Sequence, residues 1–272
     1  MNALMLKGAT DSVVRDLADE VSDEDVLAQM VVQLGGVRGE EEREALIEAY
    51  VRLGDTIAQV IADALADTED RLDRKTYVAV LGAFGSAGAH AVEKMLKDSR
   101  WFVVCNGVAV LGVVGGPNSI EHLTGSLANE HAKVRRETVR SPAKIGGENA
   151  GLLVPSMPGD SDAEVRADAA RAVAALKADR AYKQLIQILE KGDEEAVIEQ
   201  VLRALGALGD PSAVSAIAKG AKGSFFSRPS KGVRLAALAA IGTPHAVSLV
   251  KKARSDEDAE ISSPPARLLS GK

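Results

Sequence analysis

Side chains able to do catalytic chemistry are few in this sequence and far apart. The chain has one cysteine, Cys105, and four histidines at unrelated spacings, whereas a metal site or a nucleophile with its base needs residues that converge. It has no Gly-rich phosphate loop, no paired cysteines, no His-Glu-x-x-His and no nucleophile elbow. We therefore expect that the protein is not an enzyme and uses no cofactor or metal. The histidines, which we expect at solvated turns or helix ends, are His90, His122, His131 and His245.

A second set of residues favours binding. Phe225 and Phe226 stand side by side in the connection 223–231, and basic residues surround them, so the segment combines an apolar anchor with a basic rim. Such a surface suits an acidic or phosphorylated segment of another protein. Alternatively, both rings fold back and fill space left by a short neighbouring helix. The basic residues of this candidate partner-binding site are Lys219, Lys222, Arg228, Lys231 and Arg234.

The only tryptophan, Trp101, is another candidate anchor. It lies between Arg100 and Phe102 at the start of a predicted helix, and Trp and Arg are typical of binding hot spots. The ring could equally fill the gap between adjacent helix pairs, and we expect it to be partly buried. Cys105, one helical turn further on, is expected to be partly exposed and not reactive.

Charge is unevenly distributed along the chain. The first 99 residues hold 10 basic and 20 acidic residues, a net charge of −10, whereas the whole chain carries −6 and its remainder therefore +4. Residues 211–255 hold eight basic residues and no acidic one. This favours an acidic or phosphate-bearing partner and keeps nucleic acid open as an alternative ligand. The opposite charges of the two ends also allow weak self-association.

A repeated pair of short helices must position all these residues. The stretch 161–193 reads as two amphipathic helices joined by a tight turn, because apolar residues recur at three- and four-residue steps. An apolar position recurs every 31 residues at Leu72, Val103, Val134 and Val165, and a fixed period of this size is typical of a solenoid. Turn residues recur with the same period at Gly54, Gly85, Gly116, Gly147, Ala178 and Gly209.

Three segments share a polar lead-in, a Val-Arg pair and an Ala-rich helix: SDAEVRADAARAVAAL, NEHAKVRRETVR and SKGVRLAALAAIGTPHA. They resemble the short HEAT-like repeats of bacterial proteins, also found in phycobilisome lyases. The resemblance implies an all-α solenoid, a right-handed superhelix of about seven antiparallel helix pairs. The resemblance hardly specifies a function. With no catalytic motif in the sequence, we expect a non-catalytic scaffold or adaptor whose second helices present a concave surface to a protein partner. Lyase-type and glycosylase-type HEAT-like enzymes are the catalytic alternatives, and no residue here matches a lyase motif.

The predicted domain organisation has three parts. Residues 1–40 form an N-terminal helical cap, although they could instead be a partner-binding arm or a linker. Residues 41–261 form the repeat solenoid, and residues 262–272 form a disordered tail. Within the fourth pair, Pro142 predicts a kink near Ser141.

The predicted cellular location follows from the composition of the chain. One cysteine, no signal-peptide pattern and no run of roughly 18 apolar residues predict a cytoplasmic protein without a membrane partner.

Arg135 and Arg166 follow the apolar position in consecutive repeats. We expect them to pair with acidic residues and tie repeat to repeat, the alternative being a basic stripe.

Overall fold

Helix pairs follow one another along the chain, and no strand occurs in its described part, so the predicted all-α solenoid fold is confirmed. The chain divides into two units, residues 1–153 and residues 154–272. The structure is a computed structural model. The residues that it describes are 24–37, 39–53, 55–145, 157–219 and 231–252.

In the first unit, the described residues form helices α1 to α8 and a 3₁₀ turn at Met95–Lys97. After α1, the helices pair as α2 with α3, α4 with α5, and α6 with α7, and α8 begins the next pair. Their bounds are α1 Glu24–Gly35, α2 Glu40–Arg52, α3 Asp55–Asp67, α4 Arg71–Ala83, α5 Ser86–Ala91, α6 Trp101–Val114, α7 Gly116–Ser126 and α8 Ala132–Ile145.

In the second unit, the described residues form helices α9 to α14 with 3₁₀ turns at Met157–Gly159 and Asp179–Ala181. The helices pair in order, so that α9, α11 and α13 are first helices and α10, α12 and α14 are second helices. Their bounds are α9 Ala163–Leu176, α10 Tyr182–Lys191, α11 Glu195–Leu208, α12 Ala213–Lys219, α13 Lys231–Ile241 and α14 244–252.

First helices pack against first helices within each unit. In the first unit α6 packs against both α4 and α8, and in the second unit α11 packs against both α9 and α13. Two glycines allow the close approach in the first unit. A Cβ on Gly82 of α4 would collide with the side chain of Val113, and one on Gly112 of α6 would lie 2.8 Å from Ser141 Oγ. Each glycine is the twelfth residue of its helix, so the next first helix occupies the space where a side chain would stand.

From α4 to α11 the repeat length varies by one residue around the predicted 31, and the step from α11 to α13 is 36 residues. Five first helices begin at steps of 30, 31, 31 and 32 residues along the chain. Equivalent residues of different repeats are therefore identified by helix position, which is counted from the first residue of each first helix. Their first residues are Arg71, Trp101, Ala132, Ala163 and Glu195.

The predicted apolar position is confirmed in three repeats and wrong in one. Val103, Val134 and Val165 are the third residues of α6, α8 and α9, and all three are fully buried. Leu72 is 52% exposed. It is the second residue of α4, because the step from α4 to α6 is one residue shorter than 31. The third residue of α4 is Asp73, which is only partly buried, so this repeat has no buried apolar residue at the equivalent position.

After four of the first helices, the residue at helix position 15 has a positive φ. Gly85, Gly115 and Gly209 occupy it with φ of 58°, 70° and 72°. In α9 the same position is Lys177, with φ 49°, and it is the one non-glycine with positive φ among the described residues. The side chain of Lys177 therefore adds steric strain where glycine has none.

Helix α1 is tied to the pairs that follow it. Leu27, Val31 and Leu34 are buried, and α1 packs against α3 and α4. The hydroxyl of Tyr50 donates to the Met30 carbonyl at 2.6 Å, and burial raises the pKa of Tyr50 to about 12. The described part of the predicted cap thus continues the core of the first unit. The boundaries at 40, 41, 261 and 262 stay predictions.

Helix α8 continues through Pro142 to Ile145. Proline removes the bond to the carbonyl four residues earlier, but only three residues of α8 follow it, so little helix is lost. The Ser141 hydroxyl donates to the Glu137 carbonyl at 3.0 Å. Helix α8 therefore does not end at Pro142, and the kink predicted near Ser141 stays a prediction.

Candidate functional site

An aromatic cluster lies where α6 and α8 begin. The Trp101 ring stacks on His131, with centroids 4.6 Å apart and planes 14° apart, and meets Phe102 edge-on at 6.0 Å. Lys133 Nζ lies 4.5 Å from the centroid of the Trp101 ring, within range of a cation–π interaction. Trp101 and Phe102 remain 38% and 42% exposed. The cluster therefore presents two large rings to solvent on a fixed support.

Backbone hydrogen bonds hold the histidine of this cluster in place. The Lys133 N–H donates to His131 Nδ1 at 3.2 Å, so the imidazole caps the N-terminus of α8. The His131 N–H in turn donates to Asn129 Oδ1 at 2.9 Å. This bond pattern requires Nδ1 to be unprotonated, and it fixes the ring plane on which Trp101 stacks.

Arg100 links the cluster to the preceding repeat. Its guanidinium pairs with Asp98 at 2.9 Å and with Asp67 at 3.0 Å, and its Cζ lies 5.7 Å from the centroid of the Phe102 ring. The side-chain hydrogen bond from Arg100 holds the pKa of Asp98 below its ordinary value. Asp67 is the last residue of α3, so Arg100 joins two repeats at the edge of the aromatic cluster.

An exposed apolar row, here called the α6 stripe, runs along the helix from this cluster. It consists of Phe102, Cys105, Ala109 and Val113, at helix positions 2, 5, 9 and 13. Phe102 and Val113 are 42% and 50% exposed, and the two between them are half-buried. The α6 sequence WFVVCNGVAVLGVV contains no charged residue. A helix that is apolar on every side is expected to be covered on every side.

The two helices beside the α6 stripe are basic. The sequence of α4 carries Arg71, Arg74 and Lys75 against one acid, Asp73, a net charge of +2. The sequence of α8 has one acid, Glu137, and a net charge of +4. The five basic residues of α8 are Lys133, Arg135, Arg136, Arg140 and Lys144.

Cys105 lies in the middle of the stripe and is half-buried, as the sequence predicts. Burial raises the pKa of its thiol to about 11, and the nearby Glu137 carboxylate acts in the same direction. The thiol is therefore protonated at neutral pH and is a weak nucleophile.

Arginine recurs at helix position 4 of several first helices, where it turns back on the preceding loop. Arg135 donates to the carbonyls of residues 129 and 130 at 2.9 Å each, and Arg166 donates to those of residues 160 and 161 at 2.8 and 3.0 Å. Arg166 also pairs with Asp193 of the next repeat at 2.5 and 2.6 Å. The predicted tie between repeats is thus confirmed for Arg166, while both arginines also close the loop of their own repeat.

Comparison with known protein families supports the assignment of these helix pairs to HEAT-like repeats. A family profile described as HEAT repeats matches residues 152–228, which include the α9–α12 pairs. The chain is a HEAT-like repeat protein. No curated protein matches the sequence.

The HEAT-like chain is also similar to solved structures at low identity. Three are an engineered protein (18% identity, 93% of this chain and 78% of that chain, TM-score 0.48), human deoxyhypusine hydroxylase in complex with glycerol (17%, 89% and 97%, TM-score 0.38), and the complex of CpcE and CpcF of phycocyanin lyase from Nostoc sp. PCC7120 (18%, 91% and 95%, TM-score 0.38). Likenesses this distant carry no information on function.

Most of the site predicted from sequence near the seventh repeat lies outside the described residues. Arg234 is described, and its predicted place in a basic rim is wrong. Its side chain is buried and donates to the Ile217 carbonyl at 3.2 Å, and burial lowers its pKa. Arg234 is the fourth residue of α13, the position where arginine also serves the loops of other repeats. Lys219 and Lys231 belong to α12 and α13, whereas Lys222, Phe225, Phe226 and Arg228 lie outside the described residues.

Two histidines of the second and third repeats meet at one acid. His90 Nδ1 lies 3.1 Å from Glu93 Oε1, and His122 Nε2 lies 3.6 Å from the same oxygen. Sequence reasoning did not predict this contact, because His122 belongs to a different repeat from His90 and Glu93. Among the described residues, no three His, Cys, Asp or Glu side chains form a group that could hold a metal ion.

A shallow depression in the second unit lies between the turns of two consecutive repeats. Its volume is about 600 Å³, and Asp179, Tyr182, Leu208 and Asp210 contribute to its lining. The Tyr182 hydroxyl shares a hydrogen bond with Ser212 Oγ at 2.9 Å, which joins the two turns. Within the described ranges, no helix is both long enough and apolar enough to span a bilayer.

Proposed function

We propose that this HEAT-like repeat protein is a non-catalytic scaffold or adaptor that binds another protein through the surface formed by the aromatic cluster and the α6 stripe. One observation carries the proposal: a charge-free helix leaves Phe102 and Val113 about half exposed, with Trp101 beside them. Exposed apolar patches beside polar residues are characteristic of protein-binding surfaces. The non-catalytic part of the proposal is supported by the lack of a catalytic motif in the sequence.

The surface has the composition of a binding hot spot. Trp and Arg are enriched at such spots, and the stacked His131 fixes Trp101 in one orientation before a partner arrives. Fixing side chains in advance reduces the entropy that binding would otherwise cost. The proposed contact lies on a first helix, α6, rather than on the second helices that the sequence favoured.

A photo-crosslinking experiment tests this function. A photoreactive phenylalanine analogue at position 102 is used in the full chain, in lysate of the source cells, and a matched chain carries the analogue in place of Val32. Val32 is 73% exposed and lies on α1, so it controls for any exposed apolar position. We expect one protein to crosslink at position 102 and not at position 32, and to be lost when Trp101→Ser is added. Equal capture at both positions would contradict the proposal.

A further inference from the structure

The α6 stripe has the length and shape that match one partner helix. From Phe102 to Val113 it spans 12 residues, and the 11 steps between them measure about 16 Å at 1.5 Å per residue, or three helical turns. Its members recur at three- and four-residue steps, the spacing with which one amphipathic helix meets another. At its centre, Cys105 and Ala109 have small side chains, whereas Phe102 and Val113 stand at the two ends. The surface is therefore recessed in the middle of the stripe, and bulky aliphatic side chains of a second helix fit this recess.

Charge around the stripe selects the kind of helix. The flanking helices carry net charges of +2 on α4 and +4 on α8, and α6 between them carries none. Lys75, Lys133 and Arg140 are exposed at helix positions 5, 2 and 9, the outward positions that also define the stripe. A helix lying on α6 would therefore meet positive charge on both sides, from Lys75 of α4 and from Lys133 and Arg140 of α8.

The same charges disfavour a second copy of this chain on this surface. In a two-fold contact each surface meets itself, so α4 and α8 of one copy would lie against α8 and α4 of the other. Both flanks are basic, and like charges brought together across an interface weaken it. An acidic partner avoids this repulsion.

From these observations we propose that the α6 stripe receives an amphipathic helix of a partner protein, with aliphatic residues against the stripe and acidic residues along both edges facing α4 and α8. This inference rests on the proposed protein-binding function and names the chemistry of the partner segment. It is separate from the basic segment 211–255 that the sequence indicated.

Synthetic helical peptides test the charge selection directly. Two stapled peptides of about 15 residues carry the same leucine row, with glutamates along both edges in one and lysines in the other. Trp101 is the only tryptophan of the chain, so its fluorescence reports binding at the cluster. We expect the acidic peptide to bind at least about tenfold more tightly than the basic peptide at low salt, with a smaller difference at high salt.

Matched variants separate this surface from charge elsewhere. Arg140→Glu should lower the affinity for the acidic peptide several-fold, and Phe102→Ser should weaken binding of both peptides. Arg203→Glu should change neither, because Arg203 is exposed at the same helix position 9 on α11 of the second unit. Melting temperatures of all three variants establish that each remains folded.

The outcomes distinguish this inference from the function on which it rests. Equal affinity for both peptides, or no binding of either, overturns the acidic-helix proposal, while a partner captured at position 102 would still support the scaffold function. A captured segment that is basic or extended also overturns it. Light scattering that shows a dimer lost in Phe102→Ser would identify a second copy as the occupant and overturn it as well.

Discussion

The rings of Trp101 and His131 lie in consecutive repeats and stack with centroids 4.6 Å apart. The histidine that supports the indole is also the N-cap of α8, since its Nδ1 accepts the Lys133 N–H. One side chain therefore couples the start of a helix to the orientation of the most exposed aromatic cluster described in the first unit.

Replacing this histidine should separate its two roles. His131→Ala should lower the free energy of unfolding by about 1 kcal/mol through loss of the cap, and should shift Trp101 emission to longer wavelength because the indole gains water contact. His131→Asn should restore the stability, because Asn caps well, but not the emission. His245→Ala, at an exposed histidine of α14, should change neither quantity. Unchanged emission in both His131 variants would contradict the stack.

The Arg166–Asp193 pair should make stability depend on acid pH. Burial alone raises the pKa of Asp193, but hydrogen bonds from Arg166 and from the Glu194 N–H outweigh this, so its pKa lies below the ordinary value. A carboxylate with a lowered folded pKa adds stability above its unfolded pKa of about 3.9 and loses it as pH falls through the folded value.

Arg166→Met should therefore destabilise the protein by about 2 kcal/mol at neutral pH, because both side chains of the pair are mostly buried. Urea unfolding at several pH values should show the difference from wild type shrinking below about pH 4. Arg203→Met, at an exposed arginine, provides the comparison, with a difference that stays small at every pH. A constant gap for Arg166→Met down to pH 2 would count against the pair.

Two aspartate substitutions should distinguish helix position from a fixed 31-residue period. Val165→Asp places an unpaired charge at a fully buried position and should cost about 3 kcal/mol or more. Leu72→Asp, which the fixed period equates with it, should cost less than about 1 kcal/mol because Leu72 is half exposed. Thermal unfolding measures both, and equal losses would favour the fixed period.

A reciprocal exchange should test the left-handed position after first helices. Lys177→Gly should stabilise the second unit by roughly 0.5–1 kcal/mol, because glycine adopts positive φ without strain. Gly209→Lys, at the same helix position after α11, should destabilise by a similar amount. Both are measured by denaturant unfolding. A loss of stability in Lys177→Gly would show that the lysine side chain makes a compensating contact.

The sequence was sufficient for the repeat and for most of its core, because local periodicity decides which face of a helix is apolar. Val103, Val134 and Val165 were predicted at buried positions and are buried. The prediction for Leu72 was wrong because the step from α4 to α6 is 30 residues and the equivalent position in α4 is held by Asp73, which is only partly buried. Arg234 was wrong because a count of basic residues carries no information on which guanidinium turns inward to a carbonyl.

The α6 stripe depends on packing that no single repeat encodes. Helices α4 and α8 pack against two other sides of α6 and leave Phe102 and Val113 uncovered. This arrangement depends on residues 30 or more positions away in the sequence. One local signal was present, the absence of charge over the 14 residues of α6. The meeting of His90 and His122 at Glu93 had no such signal.

The unequal steps between first helices have a consequence for protein engineering. Recombining modules of this chain at cuts spaced every 31 residues would shift the donor sequence by one residue after α4, which rotates its side chains by about 100° about the helix axis. An interior valine would then face outward at each junction made with that offset. Cuts placed at the first residue of each first helix keep the orientation, so the helix start is the natural boundary of an exchangeable module.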